Sequence, residues 1–396
     1  MSELNRRNFI KSSVLAASGV AVGSRALAGT TFDPVKKVIT RTLGKTGLEL
    51  PVLSMGVMRA DNPNLVKAAY NSGIFHFDTA NVYQKGNNEL MLGEFFKDKP
   101  RDSFIIGTKV LPKGLIHETG LHGAESTEES FTKMFDTSLE RLQMDHVDIL
   151  YNHSVSTREG TLHEPSLNAM LKAKQEGKTR FIGLSTHSNQ AEVILAAIES
   201  GLIDVVLLGY NFKNNKDTKL QDALEEGNKH GIGFIGMKNL AGGFHDKEKT
   251  MPVNGKAALK WVLQNPNITT CIPGFTTFDQ LDEDLGVMTD LEMTEDEISD
   301  LQLGDNLAGL YCIGCNVCRG QCKNNLPVPD LMRAYMYSHG YRMQEKARYV
   351  LDNYLAGSDP CTGCNSCTVS CTEGFRVDER IAYVSRLKDV PEDFIV

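Results

Sequence analysis

For most of its length this 396-residue chain is nearly without cysteine: of nine, only Cys271 precedes residue 312. Composition therefore shifts at about residue 305, which marks an expected domain boundary. An excess of positive charge is also missing. The formal net charge is −8, which argues against nucleic acid or an anionic membrane surface as a partner. Without the first 28 residues, which carry Arg6, Arg7, Lys11 and Arg25 against Glu3, the remainder is more acidic still. The apolar run from Val14 to Val22 is short of the roughly 20 residues a spanning helix needs, and Ser18, Gly19 and Gly23 weaken it, so no membrane span is expected. Charge blocks and low-complexity tracts are absent, and with 41% hydrophobic residues the chain reads as globular and ordered, long enough for one large domain and a small one.

What is present begins at the N-terminus. Arg6-Arg7 precede "NFIK", a mild apolar stretch follows, and Ala26-Leu27-Ala28 ends it with small residues. Basic start, apolar middle and small-residue end are the order of an export signal, expected to be cut after Ala28; a basic amphipathic tail is the alternative. The "RRNFIK" core resembles bacterial twin-arginine signals, and that resemblance implies export of a protein already folded with its cofactor, to the periplasm or beyond.

The far end holds "CIGCNVCRGQC" (Cys312, Cys315, Cys318, Cys322) and "CTGCNSCTVSC" (Cys361, Cys364, Cys367, Cys371). Both have the CxxCxxCxxxC spacing of bacterial [4Fe–4S] ferredoxins. Three thiolates two residues apart on a tight loop can reach three corners of a cube, and the fourth often reaches the other cluster. The expected ligand sets are Cys312, Cys315, Cys318 with Cys371, and Cys361, Cys364, Cys367 with Cys322. Lys323 and Thr372 follow the fourth cysteines where ferredoxins usually have Pro, which leaves the pairing less firmly indicated than the clusters. Disulfides and zinc are the competing uses of eight cysteines, but a disulfide framework has no reason to repeat one spacing, and zinc has no need of a third CxxC step. Between the runs, residues 329–357 read as helices interrupted near Gly340 and closed by Gly357; residues 305–396 resemble a small helical two-cluster ferredoxin.

From residue 29 to 304, eight short apolar runs ("VLSMGVM", "IFHFDTA", "FIIGTKV", "VDILYNH", "RFIGLST", "DVVLLGYN", "GFIGMKN", "TTCIPGF") alternate with amphipathic segments such as "EESFTKMFDTSLERLQ" and "PSLNAMLKAKQEGK". Eight strands and eight crossovers predict an α/β fold, a (β/α)8 TIM barrel. A doubly wound sheet is the alternative, but no GxGxxG follows the first run. In a barrel the chemistry lies at the carboxyl ends of the strands, and reading those ends yields Asp78, Tyr83 shortly after it, Lys109 and His153.

Residues 38 to 290 resemble the aldo-keto reductases. The residues that carry the likeness are "RTLGKTGLELPVLSMGV", "FDTANVY" and "IPGFTTFDQLDEDL". The resemblance implies a catalytic tetrad of Asp78, Tyr83, Lys109 and His153 and a nicotinamide cofactor, NAD(H) or NADP(H). On chemical grounds Tyr83 is the acid for a carbonyl's alkoxide, Lys109 lowers its pKa, Asp78 keeps Lys109 charged, and His153 orients the carbonyl. By position the resemblance assigns the carboxamide to Ser185 and Thr186. The stacking residue becomes Met237, followed by Lys238, the last loop is that of Gly274, and Leu207 stands at the family's strand-six Gln. That loop offers Phe275, Thr276 and Thr277 where a cation would meet a 2′-phosphate, and Asp284 has the wrong sign, so NADP(H) is disfavoured against NAD(H) or no free nucleotide. His117, Glu118 and His122 form HExxxH, one residue too long for a zinc-protease motif, and read as an insertion over the barrel mouth, a lid; Cys271 reads as core.

The leading expectation is an exported oxidoreductase acting on a small carbonyl or alcohol, with two [4Fe–4S] clusters relaying electrons from a redox partner protein. The alternatives are an electron-transfer protein whose barrel is a partner-binding scaffold, and an NAD(P)H-dependent reductase with structural clusters.

Overall fold

The computed structural model describes residues 37–116, 119–246, 249–303, 311–364 and 366–395. The expected signal (1–28), His117 and Glu118, and the boundary at 304–305 lie outside the described residues.

Eight parallel strands, paired strictly in chain order, form one sheet: β1 (Met55–Gly56), β2 (His76–Asp78), β3 (Ile105–Val110), β4 (Val147–Asn152), β5 (Thr179–Thr186), β6 (Val205–Gly209), β7 (Gly233–Met237) and β8 (Ile268–Cys271). The sheet closes on itself through Leu53 beside Cys271, with Cys271 N–H donating to Val52 O at 3.0 Å and Ser54 N–H to Cys271 O at 2.8 Å. Strands buried on both faces must be apolar throughout, and all of Val205–Gly209 is buried. Cys271 is core, as its apolar run implied.

The crossover helices are α1 (Pro63–Asn71), α2 (Asn87–Phe96), α3 (Glu128–Leu142), α4 (Glu164–Gln175), α5 (Gln190–Ser200), α6 (Thr218–Lys229), α7 (Gly255–Gln264) and α8 (Phe278–Leu285). Several begin where the sequence provides a cap: the side chains of Asn62, Thr127, Asp217 and Asn254 accept a backbone N–H of the first turn. An N-terminal hairpin (Thr40–Thr42 with Glu49–Pro51) plugs the amino end of the barrel, its Leu43 and Leu50 packing on Ile149, Val205, Leu207 and Ile235. The opposite, carboxyl end is left for chemistry.

After α9 (Glu295–Leu303) the chain forms α10 (Val328–Tyr335), a π-helical turn at Met336–Gly340, α11 (Gln344–Tyr354) and α12 (Val377–Ser385). These helices enclose their own core of Leu331, Met332, Ala347, Leu351, Ile381 and Val384. The break near Gly340 falls where the sequence placed it. It accommodates Tyr311, whose ring lies against Gly340 and whose hydroxyl bonds His339 Nδ1 at 2.9 Å. On the barrel side the same ring packs on Gly242, at φ +105°, where a Cβ would overlap it. No described helix is long and apolar enough to cross a membrane.

Candidate active site

The tetrad is assembled by register. β2 ends on Asp78, which pairs with Gly107 of β3; two residues further along β3, Lys109 pairs with Tyr151 of β4, and His153 follows β4 directly. Tyr83 enters from the turn after β2, where Gln84 and Lys85 take left-handed φ of 47° and 57° before Gly86 at 94°. Lys109 Nζ is ion-paired with Asp78, donates to Thr79 O at 2.7 Å and stands 4.9 Å from the Tyr83 ring centroid. The Tyr83 and His153 rings meet edge to face, 5.8 Å apart. Asp78, Tyr83 and His153 line one cavity of about 420 Å³, within the range of small-molecule sites.

Burial governs the electrostatics here. It pulls the Lys109 ammonium down and pushes the Asp78 carboxyl up, and each is opposed by its partner's charge. It also drives the Tyr83 phenol well above the usual range, reinforced by Asp78 and Tyr337. The net direction is thus upward, set by desolvation, while the charge of Lys109 is already met by Asp78. The phenol is therefore held protonated. His153 is pulled well below the usual range by burial, then by Lys109 and Lys346, so its imidazole is neutral, with one N–H and one lone pair to offer.

Behind the tetrad lies a support the sequence reading missed. Glu89 of α2 is buried, accepts from Thr108 at 2.7 Å and pairs with Arg141 of α3 at 3.3 Å, and Arg141 also donates to Asn81 O at 3.0 Å. It ties β3, α3 and the Tyr83 turn together. The signal was legible: Glu89 shares the buried helix face with Leu92, Gly93 and Phe96, where a carboxylate needs a partner.

The nucleotide-side expectations divide. Met237, Lys238 and Gly274 line the cavity. Ser185 and Thr186 do not, because their hydroxyls serve the local backbone: Ser185 Oγ accepts from Ser154 N–H at 3.0 Å, and Thr186 Oγ1 donates to Ser188 O at 2.8 Å. The inserted segment also departs from its expected place. It forms a small hairpin (Leu115–Ile116 with Leu121–His122) whose Gly120 packs on Ser156 and Thr157, and its strands do not line the cavity. The mouth is covered instead by α10, which contributes Arg333, by the π-helical turn and the residue after it, which contribute Tyr337 and Tyr341, and by α11, which contributes Lys346 and Tyr349.

Residues 53–256 match the model of the aldo/keto reductase family. The chain belongs to that family. It is similar to L-galactose dehydrogenase of Arabidopsis thaliana (30% identity, 67% of this chain and 94% of that one) and to L-glyceraldehyde 3-phosphate reductase of Escherichia coli O157:H7 (25%, 66% and 90%). Its fold is that of aldo-keto reductase AKR11C1 from Bacillus halodurans (20% identity, TM-score 0.56, 68% of this chain and 96% of that one). This aldo/keto reductase is thus an oxidoreductase of small carbonyl compounds.

Beyond the matched region, all eight terminal cysteines are free of disulfides. Among the described residues no His, Cys, Asp and Glu converge closely enough for a single metal ion. The thiols fall in two neighbourhoods nonetheless. Burial first, then Cys318, Cys315 and Cys371, push the Cys312 thiol up; Cys361 is raised likewise by burial, then by Cys322, Cys364 and Cys367. Each run thus has the other's fourth cysteine beside it. The first run seats on the barrel, with Asn189 N–H donating to Gly314 O at 3.1 Å and Arg319 to Ser156 Oγ at 3.1 Å.

Proposed function

We propose that this aldo/keto reductase interconverts a small carbonyl compound and its alcohol at Asp78, Tyr83, Lys109 and His153, that its terminal helices carry two [4Fe–4S] clusters exchanging electrons with a partner protein, and that it works after export by the twin-arginine route. The observation that carries the reading is Lys109 set beside Asp78 and Tyr83, which line the floor of a cavity whose roof is the cysteine-bearing segment.

A substrate carbonyl between Tyr83 and His153 accepts a hydrogen bond from each. As its oxygen takes on alkoxide character, Tyr83 gives up its proton, and Lys109 stabilises the phenolate left behind. The raised phenol pKa keeps the proton in place until that moment. Asp78 holds Lys109 cationic in a buried site, and the roof of α10 and α11 excludes water, which strengthens both interactions. A bound nicotinamide would supply the hydride. Met237, Lys238 and Gly274 would hold it, and Glu283 in the same cavity disfavours a 2′-phosphate, so the residues fit NAD(H) better than NADP(H). Cys312, Cys315, Cys318 and Cys371 would hold one cluster and Cys361, Cys364, Cys367 and Cys322 the other. Their shared neighbourhoods, the positive φ of Gly314 and Gly363, and the absence of disulfides fit that use.

The test offers anaerobic wild type and Tyr83→Phe both NADH and a reduced dye, with a panel of aldehydes and ketones. The variant should lose about 10²–10⁴-fold in turnover with fold and cluster absorbance intact. A loss below about tenfold would point to another acid. No wild-type turnover with either donor, alongside normal electron exchange by the clusters, would make the barrel a scaffold.

A further inference from the structure

The roof brings charge as well as cover. Four cations line the cavity: Arg59 after β1, Lys238 after β7, Arg333 on α10 and Lys346 on α11. Lys346 Nζ is 5.9 Å from the Tyr83 ring centroid and 5.3 Å from that of Tyr349. Lys238 Nζ is 4.9 Å from the Tyr337 ring and 5.1 Å from the Tyr341 ring, and Arg59 stands 5.8 Å from Tyr341. The carboxylates nearby are committed: Asp78 to Lys109, and Asp330 to Arg333. Among the described residues, the side chains of Lys238 and Lys346 form no ion pair or hydrogen bond. Glu283 and Asp284 lie on α8, where burial pushes the Asp284 carboxyl up to about 8 and so keeps it neutral. Like charges gathered in one cavity repel one another: burial first, and after it Arg333, Arg59 and Lys109, pull Lys238 down to about 7. A bound anion would relieve that repulsion.

Two sources of anion could answer, a phosphate of the nucleotide or a group on the substrate. Position favours the substrate for Lys346, which stands over the ring of the tyrosine that meets the carbonyl. Arg333 and Lys346 also lie outside residues 53–256, the part shared with the family model. We propose that Lys346 and Arg333 seat a carboxylate of the substrate, so that the compound reduced at Tyr83 is a carbonyl acid, an aldehyde or ketone bearing its own carboxylate. The aromatic rings of Tyr337, Tyr341 and Tyr349 flank the lysines, while Arg333 adds a planar fork suited to a carboxylate. The inference rests on the reading of Tyr83 as the reacting acid, but carboxylate binding can be measured without turnover.

The experiment uses the intact protein and compares succinic semialdehyde with butanal as substrates, with calorimetric titration of succinate as the non-reacting acid. Wild type should prefer the charged aldehyde by roughly 10–100-fold in kcat/KM, the worth of a hydrogen bond to a charged group, and should bind succinate. Lys346→Met should erase that preference through KM and lose succinate binding, while Lys346→Arg restores both. Arg333→Lys, which keeps the charge paired with Asp330, should weaken succinate binding without unfolding the roof, as checked by thermal melting. Tyr83→Phe should still bind succinate. If it does so but turnover persists, the acid is misassigned and the carboxylate seat stands. If wild type shows no preference and no succinate binding, or if Lys346→Met weakens NADH binding and spares succinate, the proposal is overturned.

Discussion

Lys346, on a helix more than two hundred residues downstream of the barrel's second strand, places its ammonium 5.9 Å from the ring centroid of Tyr83. Lys109 approaches the same ring to 4.9 Å from β3. The proton donor therefore sits between a cation of the barrel and a cation of the roof. Lys109 is paired with Asp78, whereas the Lys346 ammonium has no ion pair among the described residues, so in the proposed chemistry the two serve different ends, one the phenolate and the other the incoming anion.

Asp78→Asn leaves a buried ammonium uncompensated and should cost about 3–5 kcal/mol of stability, the usual penalty for breaking a buried pair. Combining it with Lys109→Met removes both charges and should recover part of that loss, while activity stays absent in both. Urea denaturation of the three proteins checks this. Equal stabilities would mean that the pair is not buried in solution.

Protein purified without oxygen should contain about eight irons, four for each cysteine run. Cys318→Ser should lose one set and keep the other, read by iron assay and absorption. Stoichiometric zinc with no iron would refute the cluster assignment.

Asp284, raised to about 8 by burial and then by Glu283, holds its proton more tightly folded than unfolded. Its contribution to stability is fully present below the unfolded carboxyl pKa of about 3.9 and is lost as pH rises to about 8. Asp284→Asn removes that dependence. The melting temperature of the variant relative to wild type should thus climb between about pH 5 and pH 8 and level off above it. A difference that stays flat across that range would show the carboxyl to be solvated.

Replacing Arg6 and Arg7 together by Lys should leave folded, cluster-bearing protein in the cytoplasm, as read by cell fractionation. Continued export of an unfolded chain would exclude the twin-arginine route.

Much of this was legible along the chain. The eight apolar runs became the eight strands, because a strand buried on both faces has no polar position to hide the pattern. Asp78, Lys109 and His153 could be found because a barrel puts the ends of consecutive strands side by side, so the order of the runs already states which residues are neighbours. Glu89 was discernible in principle from its place on a buried helix face, but Arg141, its partner across two helices, carried no local mark.

What the sequence alone determined is therefore whatever depends on period and spacing: barrel strands, capped helices, strand-end residues and the two cysteine runs. The tertiary structure decided what depends on docking. It set the terminal helices over the mouth in place of the inserted segment, brought Arg333 and Lys346 to the tetrad, turned the Ser185 and Thr186 hydroxyls onto backbone, and raised the Tyr83 phenol. Those outcomes follow from burial and from contacts between residues far apart in the chain. Periodicity cannot report them, because desolvation and Coulomb energy depend on distances in space, and only the docked helices set those distances.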